Sequence, residues 1–225
     1  MESIPLAGEI VRVGDTVRRP WGDNADFVHL VLGHLECKGN GFAPRYQGKD
    51  PQGREVLEYL LGDCPQDLGA FSDTQCAQAA KIIRRLHQDL QDFEGCGDGR
   101  TVCHNDLSPC NFVFRKKRPV AVIDWDAAGI GDPADDLAYA VWMWLDIGNQ
   151  DNEPDTVAMR VRRMVDAYGL PAARRAEFLD AIARQMRRVS GGRYPTPRQA
   201  AATWRWANDC LRWLLEHRET LRAAL

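Results

Sequence analysis

The segment that most constrains this chain is CHNDLSPCNFVF at residues 103–114, followed by the basic run RKKRP and by VAVIDWDAAGIGDPADDLAYA from residue 120. A polar loop carries Asp106 and Asn111, an apolar strand follows over Phe112–Phe114, a turn reverses the chain, and a second strand over Val120–Ile123 delivers Asp124 at its end. Two strands joined by a turn bring their outer ends together. The spacing therefore gathers the carboxylates of Asp106 and Asp124 and the amide of Asn111 within a few residues of one another. Phosphoryl transfer needs such a group: a base that takes or orients the acceptor hydroxyl, and oxygen ligands for a magnesium ion bridging the phosphates. The plain alternative for any one of these positions is an Asp that caps a turn.

What flanks the segment differs on its two sides. Ahead of it, Glu9–Val13, a Gly14-Asp15 turn and Thr16–Arg19 before Pro20 alternate like a hairpin. Residues 25–36 put Phe27, Val28, Val31, Leu32 and Leu35 at helical spacing, and APRYQGKD, the turn PQG and REVLEYLLG read as a second hairpin. Residues 74–92 carry a helical stripe of Ala77, Ala80, Ile83, Leu86 and Leu90. After residue 133 the pattern is helical almost to the end, interrupted by the polar stretch Asp146–Asp155, which reads as an exposed loop. The expectation is an α+β chain with a reduced sheet-plus-helix unit over residues 1–62 and a mainly helical unit over 63–225, the reactive loop lying between them.

Charge sharpens the asymmetry. Residues 1–155 hold 15 Lys and Arg against 26 Asp and Glu, a balance of −11, whereas residues 156–225 hold 14 against 6, a balance of +8. Regularly spaced arginines usually mark a solvated helical face, and without a nucleic-acid module or basic-aromatic alternation no nucleic-acid partner is expected. No apolar run approaches the roughly 20 residues that span a bilayer, so no membrane association is expected. The first residues, MESIPLAGEIVRVGD, lack the basic-then-apolar layout of a secretory signal, and seven scattered cysteines form no C-x-x-C pair. Cytoplasmic location and reduced thiols are the expectation.

His104-x-Asp106-x-x-x-x-Asn111, with Asp124 following 13 residues later, resembles the catalytic loop and metal-binding aspartate of the protein-kinase-like superfamily. The local form, HNDLSPCNFVF with VIDWDAAGIGDPADDLA, is similar to the signatures of the aminoglycoside phosphotransferase family, which also contains choline and homoserine kinases. RRLH at 84–87 and EVLEYLLG at 55–62 look like that family's helix and hinge segments. The resemblance implies a two-lobed protein-kinase-like fold, with a small antiparallel-sheet N-lobe and a mainly helical C-lobe. It implies a nucleoside triphosphate, ATP in the first instance, together with Mg2+ and a small-molecule hydroxyl acceptor. By position, Asp106 is the catalytic base or acceptor-orienting residue, Asn111 and Asp124 hold the magnesium, and Glu58, Tyr59 and Leu60 form the nucleotide-side hinge. His104 is expected to brace the loop, Asp136 to accept hydrogen bonds from its backbone, Asp132 to cap a turn, and Asp126 to be a surface carboxylate. The family's alternative outcome is an immunity-type binding protein that keeps the fold without turnover.

The sequence departs from the resemblance at its start. Only Pro5–Glu9 precedes the first hairpin, no G-x-G-x-x-G loop is present, and the phosphate-pairing lysine of the third strand is replaced by arginine, with Arg18 aligning better than Arg19. Arginine keeps the charge but changes the geometry of the grip. The helix that should supply its acidic partner offers only Asp26 or His29.

Overall fold

The computed structural model describes residues 3–68 and 70–225. Its first part is a five-stranded antiparallel sheet of β1 (Ser3–Ala7), β2 (Ile10–Val13), β3 (Thr16–Arg19), β4 (Tyr46–Lys49) and β5 (Glu55–Glu58), in the order β1-β2-β3-β5-β4. The two hairpins fall where alternation and turn residues put them. The strand β1 lies outside the sequence expectation, because Pro5 argues against a ladder. It is tolerated on an edge strand, where Pro5 stands opposite Val11 beside an irregularity in register. Helix α1 (Ala25–Cys37) buries Val28, Val31, Leu32 and Leu35.

Beyond the sheet, α2 (Asp73–Leu90) starts with a capping box in which the Ser72 and Gln75 side chains satisfy each other's backbone N–H groups. Of the expected stripe, Ala80, Ile83, Leu86 and Leu90 are buried, joined by Ala79 and Ile82, while Ala77 is only half-buried. Two short ribbons carry the loop region: β6 (Thr101–Cys103) pairs with β9 (Gly129–Gly131), and β7 (Phe112–Arg115) with β8 (Arg118–Val122). The β6–β9 ribbon, three residues per strand with two glycines in one, leaves no readable period in the sequence. The helices that follow are α3 (Pro133–Trp144), α4 (Pro154–Tyr168), α5 (Ala172–Arg175), α6 (Phe178–Ser190), α7 (Pro197–Glu216) and α8 (Arg218–Ala224). Two segments that read as single helices are each broken, near Ala176 and at His217.

The core lies where α2, α3, α4 and α6 meet. Nearly every residue of α3 is buried, including Trp142 and Trp144, which explains an apolar pattern that runs all round the helix. Asp132 caps α3 through the Ala134 N–H, with Pro133 in the first turn, where its missing donor costs nothing. Gly62 marks the passage out of the sheet: at φ 154° its backbone lies so close to Phe114 that an added Cβ would stand 2.5 Å from the Phe114 carbonyl oxygen. Backbone hydrogen bonds between Asp63 and Phe114, in both directions, fasten that passage to β7.

Candidate active site

The reactive loop is held from behind by one buried carboxylate. Asp136 on α3 accepts from the His104 N–H (2.8 Å) and from His87 Nε2 (3.0 Å) at Oδ2, and from the Asn105 N–H (2.8 Å) at Oδ1. Desolvation alone would raise the Asp136 pKa, but the bonds and charge from His87 and the loop outweigh it and hold the carboxyl below its ordinary range. The sequence expectation for this residue is met. Asn105, bent into the left-handed region at φ 64°, is fixed there by its own side chain on the Ala127 carbonyl.

His104 joins the two halves of the loop. Among the described residues its Nε2 donates to the Ile123 carbonyl (3.0 Å) and its Nδ1 accepts from the Asp106 N–H (3.3 Å). It braces the loop, in line with the reading from the sequence.

Asp106, Asn111 and Asp124 come together as the strand-turn-strand spacing demands. Asn111 Nδ2 donates to both the Asp106 backbone oxygen (2.9 Å) and Asp106 Oδ2 (3.0 Å), so the amide oxygen points the other way with no partner among the described residues. The Ile123 N–H donates to the Asn111 carbonyl (2.9 Å), which seats Asp124 beside Asn111. Asp124 itself has φ 64° and ψ 64°, and its side chain is about half exposed. Partial desolvation, and then the neighbouring Asp126, push its carboxyl above the ordinary range against the pull of Arg19.

Asp106 has a partner that the sequence reading did not single out. The Tyr139 hydroxyl donates to Asp106 Oδ1 at 2.7 Å, so each carboxylate oxygen receives one protein hydrogen bond. Burial first, and then the Asp106 charge, drive the Tyr139 phenol well above its usual range, which keeps it a donor. The signal was in the sequence as spacing: Tyr139 is three residues after Asp136, on the same face of one helix.

On the sheet side the arginine assignment needs correction. Adjacent strand residues face opposite sides. Arg18 turns to Asp50 (3.6 Å), whereas Arg19 enters the cleft, with Nη1 3.5 Å from Asp124 Oδ1 and its two terminal nitrogens 3.0 and 2.5 Å from the Asp126 carboxylate. Desolvation pulls the Arg19 pKa down, but the charges of Asp126, Glu55 and Asp124 more than offset this and raise it. The acidic partner is also not on α1. Glu55 of β5, fully buried and opposite Arg19 in register, lies 2.6 Å from Arg19 Nε and 2.7 Å from His29 Nε2. The Arg19–Glu55 contact is too poorly aligned for a hydrogen bond and leaves both of those atoms without one. Asp126 is a surface carboxylate as expected and is also the forked partner of Arg19.

Glu58 ends β5, and Tyr59 and Leu60, expected with it to form the hinge, follow directly. The Glu58 N–H donates to the Arg45 carbonyl and the Tyr59 N–H to the Asp15 carbonyl (both 2.9 Å), and the Arg12 guanidinium covers the Tyr59 ring at 3.8 Å. The Leu60 N–H and carbonyl have no hydrogen-bond partner among the described residues. Trp142, Trp144 and Trp213 are buried, while Trp204 is 56% exposed. Cys103 and Cys110 are thiols pushed up by burial, Cys103 donating weakly to the Asp132 carbonyl. The acidic stretch that begins at Asp146 bonds mainly within itself and lies beyond the opposite end of α3 from Asp136.

The sequence pattern of the phosphotransferase enzyme family matches residues 40–160. A trifolitoxin immunity protein of Rhizobium leguminosarum bv. trifolii is 30% identical over 249 residues, spanning 96% of this chain and 94% of its own. An amicoumacin kinase solved with AMP-PNP and Ca2+ matches with a TM-score of 0.67 at 10% identity, over 93% of this chain and 88% of its own. A microcompartment-associated aminopropanol kinase matches with a TM-score of 0.64 at 15% identity, over 96% and 92%. At such identities these structures speak for the fold, a small antiparallel sheet beside a mainly helical remainder. With a family pattern over more than half its length and a relative along nearly all of it, the chain belongs to the phosphotransferase enzyme family and has the kinase-like fold.

Proposed function

We propose that the protein moves the terminal phosphoryl group of a nucleoside triphosphate, ATP in the first instance, to a hydroxyl of a small molecule. The observation that carries this reading is the Asp106 carboxylate, held at Oδ1 by Tyr139 and at Oδ2 by Asn111, beside an Asn111 oxygen and an Asp124 carboxylate that no hydrogen bond consumes among the described residues. Asp106 orients the acceptor hydroxyl and receives its proton. The acceptor oxygen bonds to the terminal phosphorus as the bond from that phosphorus to the bridging oxygen breaks, leaving a phosphoester and a nucleoside diphosphate. Tyr139 and Asn111 fix the carboxylate so that no reorganisation is needed at that moment.

Asn111 Oδ1 and the Asp124 carboxylate fit a hard divalent cation, because both are oxygen donors and neither accepts a hydrogen bond among the described residues. Magnesium held there supplies neutralisation of the phosphate oxygens. Arg19 is the cleft cation on the sheet side, and the free backbone groups of Leu60 offer an edge to the base, with Glu58 and Tyr59 shaping it. The division we assign is residues 1–62 for the nucleotide side and 63–225 for the loop and acceptor side.

A screen of hydroxylated metabolites and antibiotics for magnesium-dependent phosphate transfer, run beside Asp106→Asn, tests the reading; transfer that survives the substitution overturns it. One finding favours a second reading, binding without turnover: the 30% identical relative carries an immunity name. Nucleotide binding with no magnesium-dependent hydrolysis under any acceptor would establish that second reading.

A further inference from the structure

The acceptor side of the loop is short of negative charge. Residues 181–208 contain six arginines and neither aspartate nor glutamate. The acids at the start of α3 are already matched: Asp132 by Arg174 at 2.6 Å and Asp135 by Arg184 at 2.5 Å. Of the six arginines, only Arg184 has a carboxylate within 4.0 Å among the described residues. Arg188, the one of the six with a hydrogen bond to the reactive loop among the described residues, has no carboxylate beside it to neutralise its charge.

One of these arginines is built into the site. Arg188 Nε donates to Oε1 of Gln185 (2.7 Å), a side chain that is itself 7% exposed. Its Nη2 donates to the carbonyl of Asn105 (2.9 Å), the residue directly before Asp106. Its guanidinium carbon lies 5.6 Å from the centre of the Tyr139 ring, and the Tyr139 hydroxyl holds Asp106. A surface arginine ordinarily samples many rotamers; these three contacts fix this one beside the reacting carboxylate. Its Nη1 meets no acceptor among the described residues, which leaves N–H donors for a ligand oxygen. Guanidinium prefers carboxylate and phosphate, which it can grip at two points.

We infer that the acceptor is an anionic alcohol, a small molecule bearing a carboxylate or phosphate group near the hydroxyl that is phosphorylated, with Arg188 as the residue that recognises the anion. This rests on the phosphoryl-transfer reading and adds the substrate class to it. The transfer step is unchanged: the acceptor O–H bond and the terminal P–O bridge break, the new O–P bond forms, and the proton goes to Asp106. Arg188 takes no proton and acts by position and charge alone.

The test uses matched probes with ATP and magnesium: 4-hydroxybutyrate, its amide and 4-aminobutanol for the carboxylate arm, and glycerol 3-phosphate against glycerol for the phosphate arm. A single charge-assisted contact predicts a preference of about tenfold or more in kcat/KM for the anionic member of at least one arm. Arg188→Gln should bring that ratio to near one, and Arg188→Lys should keep part of it. Preference for the amine, or an anion preference unmoved by Arg188→Gln, overturns the inference. The same probes are titrated by tryptophan fluorescence. Anion-selective binding that Arg188→Gln abolishes, with no transfer to any probe, leaves the recognition standing and removes the phosphotransferase reading. Transfer without anion preference does the reverse, and binding without either transfer or anion preference removes both.

Discussion

The two sides of the cleft are built to different standards. On the helical side the loop is anchored from within: Asp106 by the buried Tyr139 and by Asn111, the loop backbone by the buried Asp136, and His104 by the Ile123 carbonyl. On the sheet side a single arginine reaches the cleft, shared among Glu55, Asp124 and Asp126, and no glycine-rich loop stands over it. Proton and acceptor handling tolerates little displacement, since an angstrom of misplacement can cost about a hundredfold in rate. Phosphate grip can be shared with a metal ion and so can be trimmed.

The largest effect should come from the helical side. Asp106→Asn keeps the shape of the side chain but cannot take a proton, and turnover should fall by roughly 10²–10⁴ with nucleotide affinity little changed. Steady-state kinetics of nucleotide consumption and direct titration of nucleotide read the two separately. Turnover within about threefold of the parent would mean that the well-built side is not where the chemistry occurs.

Removal of Asp136 should act on stability as much as on rate. Asp136→Ala strands two loop N–H groups and His87, a loss of about 3–5 kcal/mol by analogy with broken buried pairs, measurable as a shift in the urea midpoint. The pH dependence carries a sign. The folded carboxyl lies below its unfolded value, so its stabilisation is fully present above about pH 4 and fades as pH falls through the lower folded value. The acid limb of unfolding should therefore flatten in the variant. An unaltered limb would remove Asp136 as the anchor of the loop.

The sheet side is probed by a pair of substitutions. Arg19→Ala should weaken triphosphate binding by about ten- to a hundredfold, the equivalent of one charge-assisted contact, and leave nucleoside binding nearly intact. Arg18→Ala should leave both nearly unchanged, because its guanidinium faces Asp50. Calorimetry with both ligands decides it, and a larger loss from Arg18 would reverse the correction made from the strand geometry. The smallest effect is expected of Tyr139→Phe. One neutral donor to a carboxylate is lost, worth about 1 kcal/mol, so turnover should fall roughly three- to tenfold with the fold intact. No change in rate would leave Tyr139 as packing.

The sequence by itself determined the elements that depend on neighbours along the chain. The reversal between β7 and β8 sets Asn111 beside Asp124, and the loop before it carries Asp106, so local spacing was enough to gather all three. The α2 stripe, the α1 stripe and the hairpins were legible for the same reason, since period and turn chemistry are local. What only the tertiary structure decided are matters of facing and of distant partners. Arg18 and Arg19 differ by one position in a strand, and only the register with β5, which puts Glu55 opposite Arg19, determines which of them enters the cleft. The acid that meets Arg19 is Glu55 of β5 and not Asp26 of α1, a pairing between separate strands that no local pattern encodes. Tyr139 reaches Asp106, and Arg188 reaches Asn105, because α3 and α6 pack against the loop; packing of a buried helix is a three-dimensional choice, and an all-apolar pattern like that of α3 does not reveal which face meets which neighbour.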